Sequence, residues 1–228
     1  ASHRYIDSAD LTERAWLFGL AALAAVLYLK GVRIARARAG AGSPVESWAR
    51  RLKALSPRTR LVLLFAAALL VINLGSIKLL QEENTFKGDE PHYLLIAHSL
   101  IVDGDFDLAD NYANRDYDAF MPSGLKLDRH VVPGVKPDSR YSFHSPGTAL
   151  VLLPFYALGR LFGPTGLLLF IRFGMSLFGA LFGVQVYLFA RKEWGRDSLA
   201  LGIWALVTFS TPAYFYSLHV YPELIVGL

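Results

Sequence analysis

The stretch that decides the fold is LVLLFAAALLVINLGSIKLL, residues 61–80, in which Lys78 is the only charged side chain. A helix needs about 20 mostly apolar residues to cross the hydrocarbon core of a bilayer, so this stretch is long enough for one span. Three more apolar stretches are candidates for the same role: 11–29, 166–190 and 199–216. Another span is expected to start at about Pro222. One such stretch could be a buried helix of a soluble protein, whereas four favour an all-α, polytopic membrane protein.

The overall composition agrees with a membrane protein. Of 228 residues, 54% are hydrophobic and 18% are charged, against about 25% charged in an average soluble domain. The chain contains no cysteine, which excludes a disulfide framework, a thiolate-ligated zinc site and a cysteine nucleophile. So large an apolar fraction also excludes an intrinsically disordered protein.

The charged residues are sorted along the chain. Residues 30–60 contain nine bases and one acid, Glu46, and 191–198 form a second basic turn. Residues 81–147 reverse this balance, with twelve acids, six bases and four of the six histidines. Short loops rich in Lys and Arg stay in the cytoplasm, so both basic loops are expected inside. This orientation leaves two segments on the outer side: 81–165 and 217–222. The net charge of +4 therefore reflects topology and does not indicate a nucleic-acid partner.

A short helix is predicted at the start of the outer segment. Pro91 suits the first position of a helix, and Gly104 suits the residue after its end, so residues 91–102 are expected to be helical. The apolar side of this helix is expected to lie against the bilayer surface. Its members are Leu94, Leu95, Ala97, Ile101 and Val102.

Two further local structures are predicted in the same segment. Residues 131–144 have the pattern of a β-hairpin with its turn at 137–139, where Pro, Asp and Ser follow one another. Residues 148–162 are apolar, but fifteen residues are few for a span. We therefore expect 148–162 to form a helix that lies at the outer membrane interface.

The acidic pair Asp89–Glu90 comes soon after the first predicted span. Spacing alone leaves two interpretations open. These acids cap the following helix and complement its dipole, or they form an acid–base pair or metal ligands at the membrane surface. Arg172, about two turns into the next span, also has two interpretations: it binds a phosphate, or its side chain snorkels to the interface.

Several motifs in the outer segment resemble those of a known family. Three occur in order: GDEPHY at 88–93, AHSL at 97–100 and DGD at 103–105. Together they resemble the first outer-loop motif of the GT-C membrane glycosyltransferases, most closely the family 39 branch with its protein O-mannosyltransferases and lipid A aminoarabinose transferases. YSFHSPG at 141–147 is similar to the second family motif, and HVYPE at 219–223 to a later polar loop. The resemblance covers 61–228 as the N-terminal part of a GT-C domain, and leaves 1–60 as an additional helix and basic loop.

The resemblance implies a fold, an activity and a location. The fold is a polytopic helical bundle whose large first outer loop carries juxtamembrane helices. The activity is transfer of a sugar from a polyprenyl-phosphate donor to an acceptor, on the extracytoplasmic side of a bacterial plasma (inner) membrane. Asp89 matches the catalytic Asp of the family and is expected to act as the base, while Glu90 positions the acceptor or the loop.

The remaining site residues follow from the same resemblance. The side chains expected to bind the donor or its lipid phosphate are His92, Tyr93, Tyr141, His144, Arg172, His219 and Glu223. A cation is expected beside the leaving phosphate. His144, which stands where the aminoarabinose transferases have Lys, can supply it only if its pKa is raised. Asp89, Glu90 and Glu223 are candidates to hold a divalent cation, although no coordination set is fixed by the pattern.

Two other classes of function stay open. The chain could be a non-catalytic accessory subunit with a GT-C-like scaffold, working with other membrane subunits. A transporter is the less favoured class, because transporters place polar groups near mid-membrane. Here only Asn73 and Gln185 lie that deep in the predicted spans, and the ionisable residues gather outside. In each case membrane lipids surround the protein.

Overall fold

A computed structural model describes residues 51, 54–83, 86–121 and 124–228, with the side chains of 81–83 left undescribed. Residues 55–228 form one compact unit, which is mostly helical and has little strand. The predicted helix 11–29 and nearly all of the basic loop 30–60 lie outside the described residues.

In chain order the elements are α1 (Pro57–Glu83), α2 (Glu90–Val102), α3 (Ala109–Asn114), a short 3-10 helix (Asp116–Ala119), the strands β1 (Val131–Pro133) and β2 (Arg140–Ser142), α4 (Gly147–Arg160), α5 (Gly163–Trp194), α6 (Asp197–Thr208), α7 (Ala213–Leu218) and α8 (Pro222–Val226).

Helices α1 and α5 are the two long helices, and both are long and apolar enough to cross a membrane. They contain the predicted spans 61–80 and 166–190. Ser56 caps α1, since its Oγ accepts the Thr59 N–H at 3.2 Å. Gly195 ends α5 in the left-handed conformation, at φ +61°.

The two long helices pack against each other in opposite directions. Near one end, Arg60 of α1 lies 3.3 Å from Asp197, just beyond the end of α5. Further along, the hydroxyls of Ser76 and Ser176 are 3.1 Å apart. Arg191 also pairs with Asp197 at 2.9 Å, so basic side chains gather at this end of the pair.

Much of the α1 surface is apolar and exposed. Val62, Leu70 and Leu74 each have more than half of their surface uncovered. Exposed apolar area of this extent is unfavourable in water and favourable in a lipid environment. Together with the length of α1 and α5, it suggests that the protein associates with a membrane.

The apolar stretch 199–216 is divided, so the prediction of one continuous span there is wrong. Helix α6 ends at Thr208 and α7 starts at Ala213, directly after Pro212. Proline lacks an N–H and cannot continue an α-helix from the preceding turn. The two short helices nevertheless both pack along α5, with Thr208 against Gly183 and Ser217 against Gly179.

Helix α2 confirms the prediction at 91–102, but its predicted place on the bilayer surface is wrong. Leu94, Leu95 and Ala97 have no exposed surface. They belong to a core of buried side chains that includes Phe120 and Leu152. The apolar residues of α2 are spread round the helix, which is typical of a helix enclosed by protein. Helix α2 is therefore at the centre of the structure formed between α1 and α5.

The β-hairpin forms as predicted and sits beside the start of α2. Val132 pairs with Tyr141 in the antiparallel register, and the turn is closed by the Ser139 N–H donating to the Lys136 carbonyl at 3.1 Å. Beyond the strands the pairing continues, because the Phe143 N–H donates to the His130 carbonyl at 3.2 Å. The hairpin thus brings the residues on both its flanks together.

Helix α4 occupies most of the stretch predicted at 148–162. It packs against both α2 and α5, with Leu152 and Tyr156 buried. Leu161, just after the helix, is largely exposed. One side of this segment therefore faces the protein core, and an apolar edge stays uncovered as an interfacial helix requires.

Candidate functional site

The candidate site lies where the chain turns into α2. Gly88 adopts φ +60°, and a Cβ there would stand 2.9 Å from the Tyr221 hydroxyl, so the turn needs glycine. The Glu90 N–H donates to the Lys87 carbonyl at 3.2 Å, which closes the turn. This turn places Asp89 and Glu90 side by side with their side chains in different surroundings.

Glu90 lies in the interior and forms an ion pair with Arg172 of α5. Both side chains are 2% exposed, and Arg172 Nη1 donates to Glu90 Oε1 at 2.6 Å. Arg172 also donates to the Leu218 carbonyl at the end of α7 and lies over the Phe86 ring, 4.4 Å from its centroid. We call Glu90 and Arg172 the buried ion pair. His219 is 19% exposed, and its Nδ1 lies 3.4 Å from Glu90 Oε1.

Backbone groups complete the environment of Glu90. The Val220 N–H donates to Oε1 at 2.7 Å, and the Lys87 N–H to Oε2 at 3.1 Å. Burial alone would raise the pKa of the Glu90 carboxyl, but the His219 hydrogen bond, the Arg172 charge and these N–H groups outweigh it and lower the pKa. Glu90 is therefore a buried carboxylate whose contacts hold the turn in place.

The structure contradicts one of the two interpretations of Arg172. Its side chain has 1% of its surface exposed, so it does not snorkel to an interface. Its guanidinium donates to the Glu90 carboxylate and the Leu218 carbonyl, and phosphate binding by Arg172 stays a prediction. The sequence could not reveal this contact, because Glu90 and Arg172 are 82 residues apart.

Asp89 points to the opposite side of the turn, where three imidazoles gather. Its side chain is 47% exposed, and Oδ1 lies 3.9 Å from His130 Nδ1. His130 Nδ1 is 3.0 Å from His144 Nε2, and the His92 and His130 rings are stacked with centroids 3.9 Å apart. One ligand atom from each of the four residues lies within 4.8 Å of all the others. We call Asp89, His92, His130 and His144 the histidine cluster.

Two imidazoles of the histidine cluster, those of His92 and His144, favour the neutral state. Burial, with the neighbouring His130 and His144, lowers the pKa of His92 to about 3. Burial also lowers the pKa of His144, with a further lowering by His130 that Asp89 opposes. The expected cation at position 144 is thus a neutral imidazole near pH 7, which is the form that binds a metal ion.

His130 is the site residue that the sequence analysis missed. It lies on the N-terminal flank of the hairpin, as His144 lies on the C-terminal flank, and the pairing of the strands brings the two together. The hairpin itself was predictable. The nearly symmetric placement of a histidine just outside each strand is the signal that could have identified the pair.

Tyr112 of α3 supports the histidine cluster from behind. Its hydroxyl is 3.0 Å from His92 Nδ1 and accepts the His130 backbone N–H at 3.4 Å. Tyr112 is buried, and burial raises its pKa, so the hydroxyl stays protonated at neutral pH. A hydrogen bond of this kind fixes the orientation of an imidazole and leaves the other ring nitrogen, Nε2, available.

The other residues expected at the site are divided. Tyr93 lies with its ring centroid 5.1 Å from that of His144. Burial, and then the charges of Asp89 and Glu223, raise the pKa of Tyr93, which places exposed Glu223 in the same neighbourhood. Tyr141 instead packs within the hairpin against Gly134 and is not part of the histidine cluster.

Of the three residues considered for a divalent cation, only Asp89 belongs to the histidine cluster. Glu90 is held by Arg172.

Comparison of the chain with protein-family models, with curated protein sequences and with solved structures finds no match. The chemistry of the site is therefore argued from its own residues.

Proposed function

We propose that this protein is an integral membrane glycosyltransferase with a GT-C-type helical bundle. It moves a sugar from a polyprenyl-phosphate donor to an acceptor on the extracytoplasmic side of a bacterial plasma membrane. One observation carries the proposal: of two adjacent carboxylates, Glu90 is buried and paired, while Asp89 is 47% exposed beside the end of an apolar helix that is long enough to span. The motif resemblance in the outer segment supports the same function.

In the proposed reaction the acceptor hydroxyl oxygen attacks the anomeric carbon of the donor sugar. The bond from that carbon to the phosphate oxygen breaks, and polyprenyl phosphate leaves with the bonding electron pair. The hydroxyl proton passes to an Asp89 carboxylate oxygen. Positioned proton transfer of this kind contributes about 10²- to 10⁴-fold to a rate. Glu90 keeps the turn rigid, so that Asp89 stays at a fixed position.

Two tyrosines are placed to donate hydrogen bonds to the leaving phosphate. Tyr93 and Tyr221 lie beside Asp89. Burial, with a smaller effect of the Asp89 charge, raises the pKa of each hydroxyl. Both therefore stay protonated and can donate to a developing negative charge. In this arrangement they take the phosphate-facing role that Arg172 was expected to fill.

The charge distribution supports the proposed orientation. The end of α5 far from Asp89 carries Arg191 and Lys192, and Arg60 of α1 lies beside it. By the positive-inside rule this end faces the cytoplasm, which leaves the turn at Asp89 outside. Helices α1 and α5 then cross the bilayer, and the short helices α6 and α7 run back beside α5.

The activity is tested by Asp89→Asn in membranes supplied with a panel of polyprenyl-phosphate sugars. We expect a loss of about 10²- to 10⁴-fold in transfer, because Asn cannot accept the proton. Asp138→Asn is the matched control, since Asp138 is exposed in the hairpin turn away from the histidine cluster. Sugar transfer by Asp89→Asn at the wild-type rate would rule out Asp89 as the base. Transfer by no wild-type preparation with any donor would favour the accessory subunit.

The orientation has an independent test, because the chain contains no cysteine. Val135 is 98% exposed at the hairpin turn, so Val135→Cys should react with a membrane-impermeant maleimide added to intact cells. Glu193→Cys, at the opposite end of α5, should react only after the cells are opened. The reverse pattern would contradict the proposed topology and the reaction placed on it.

A further inference from the structure

We propose that the histidine cluster is a binding site for a transition-metal ion of the zinc class. Its ligands are the imidazoles of His92, His130 and His144 and the carboxylate of Asp89. The site shares Asp89 with the proposed transferase, but metal binding goes beyond that activity and is measured without it. The four side chains come from the turn before α2, from α2 itself and from both flanks of the hairpin, so the fold of the outer segment assembles the site.

The spacing of the donor atoms suits a small tetrahedral ion. Zinc–nitrogen bonds of about 2.0–2.1 Å place neighbouring ligands of a tetrahedron about 3.3 Å apart. His130 Nδ1 and His144 Nε2 are already 3.0 Å apart, and His130 Nδ1 is 3.9 Å from the Asp89 carboxylate. All four donor atoms lie within 4.8 Å of one another. Small side-chain rotations therefore bring them to the spacing that one ion requires.

The donor types select the class of metal. Three imidazoles and one carboxylate suit Zn²⁺ and its neighbours in the first transition series, whereas Ca²⁺ and Mg²⁺ prefer sets made of oxygen. His130 Nδ1 and His144 Nε2 are 3.0 Å apart, so one ion can reach both. Each nitrogen binds the ion through its lone pair when the ring proton is on the other nitrogen.

The surroundings hold the ligands in position. The Tyr112 hydroxyl holds His92 Nδ1, which leaves Nε2 for the metal. Phe143 stacks on the His130 ring at a centroid distance of 4.8 Å and limits its rotation. His130 and Asp89 are about one third and one half exposed, so the site has an open side through which an ion enters.

The test is metal binding to the purified full chain in detergent. After treatment with a chelator, the protein is loaded with Zn²⁺ and desalted, and zinc per chain is counted by mass spectrometry. A competing chelating dye gives the affinity. We expect one ion per wild-type chain and an affinity at least tenfold lower for His130→Ala. His98→Gln is the control, because His98 bonds Tyr156 outside the cluster and should leave zinc binding unchanged.

Two further measurements keep the proposal open to refutation. His144→Gln, at a partly exposed position, repeats the test if His130→Ala does not fold. Co²⁺ loading should give the visible spectrum of a tetrahedral site in the wild type and in His98→Gln, but not in the cluster variants. A wild-type chain that keeps no zinc after desalting would overturn the proposal. Zinc binding by both His130→Ala and His144→Gln with the wild-type affinity would overturn it as well. Neither result depends on sugar transfer, so this proposal and the transferase can fail separately.

Discussion

Asp89 and Glu90 are neighbours in the chain and carry the same functional group, yet they belong to two different regions of the molecule. Glu90 lies in the buried ion pair, is 2% exposed and has partners on three segments of chain. Asp89 lies in the histidine cluster, about half exposed, with its nearest imidazole nitrogen at 3.9 Å. The turn at Gly88 assigns one carboxylate to each region.

The two regions have different roles: the buried ion pair fixes the structure, and the histidine cluster is available for binding or reaction. A buried ion pair contributes little net stability over an apolar substitute, but it permits only one arrangement of its partners. The histidine cluster keeps groups close together, and one side is open to solvent. Substitutions in the buried ion pair should therefore act on folding, and substitutions in the cluster on binding or reaction.

The largest effect is expected from Glu90→Gln. It leaves the Arg172 charge buried without its carboxylate, and breaking such a pair costs about 3–5 kcal/mol. We expect the variant in detergent to lose most of its monodisperse fraction and to unfold at a lower temperature than the wild type. Size-exclusion chromatography and thermal unfolding by tryptophan fluorescence measure both.

The double variant Glu90→Gln/Arg172→Met is the control for this experiment. Removing the second charge should restore much of the lost stability, because an apolar side chain of similar length fills the same space. If Glu90→Gln alone unfolds at the wild-type temperature, the pair does not hold the turn and the comparison with Asp89 fails.

The next effect is expected from Tyr112→Phe, on the cluster side. The loss of the hydroxyl leaves the His92 ring without its orienting partner, and a change of this kind lowers metal affinity by about 10- to 100-fold. Zinc competition measures the affinity, and unfolding should stay close to wild type. Tyr117→Phe, a buried tyrosine on the neighbouring turn, is the matched control. Equal zinc affinity in all three proteins would place Tyr112 outside the site.

Gly179→Ala should act on the buried ion pair without touching the cluster. A Cβ there would lie 2.3 Å from the Ser217 hydroxyl, so α7 must shift, and Leu218 moves with it away from Arg172. Overpacking of this kind costs about 1–3 kcal/mol. Thermal unfolding should report the loss, while zinc affinity stays constant. Gly147→Ala has room for its methyl group and should unfold at the wild-type temperature. A similar loss of stability in Gly147→Ala would show that the close contact between Gly179 and Ser217 is not the cause.

The smallest effect is a pH dependence from His98, which belongs to neither region. Burial, partly offset by Asp116, lowers the pKa of His98 below its usual 6.5. The unfolded chain therefore takes up this proton more readily than the folded protein. The contribution to stability is complete above pH 6.5 and is lost as the pH falls through the folded pKa. His98→Gln should reduce the drop in unfolding temperature between pH 7.5 and pH 5.5, and an unchanged drop would exclude this residue as a cause.

Features set by nearby residues could be predicted from the sequence. The apolar length of 61–80 and 166–190 predicts α1 and α5, and Pro, Asp and Ser at 137–139 predict the hairpin turn. The end of α6 could also have been read from Pro212, whose missing N–H stops a helix. Apolar length outweighed that signal and led to the wrong prediction of a continuous span.

Features that depend on contacts between distant residues could not be predicted. An apolar helix such as α2 has the same composition in a protein core and at a bilayer surface, and only its neighbours decide between them. The partner of Glu90 is 82 residues away, and His130 and His144 meet only after the hairpin has formed. The motif could therefore identify Asp89 and Glu90 as a pair, but it could not say which of them is buried.

The distances along the chain between Glu90 and its partners have a consequence for biosynthesis. Glu90 is made 82 residues before Arg172 and 130 residues before Val220. During translation the Glu90 carboxylate stays hydrated until Arg172 and Val220 have been made. The structure around Glu90 can form only after that point. A ribosome that stops between residues 172 and 218 releases a chain whose guanidinium has Glu90 but lacks the Leu218 carbonyl. The contacts of Glu90 are therefore complete only when the chain has been made as far as residue 220, and shorter products should be more open to proteolysis.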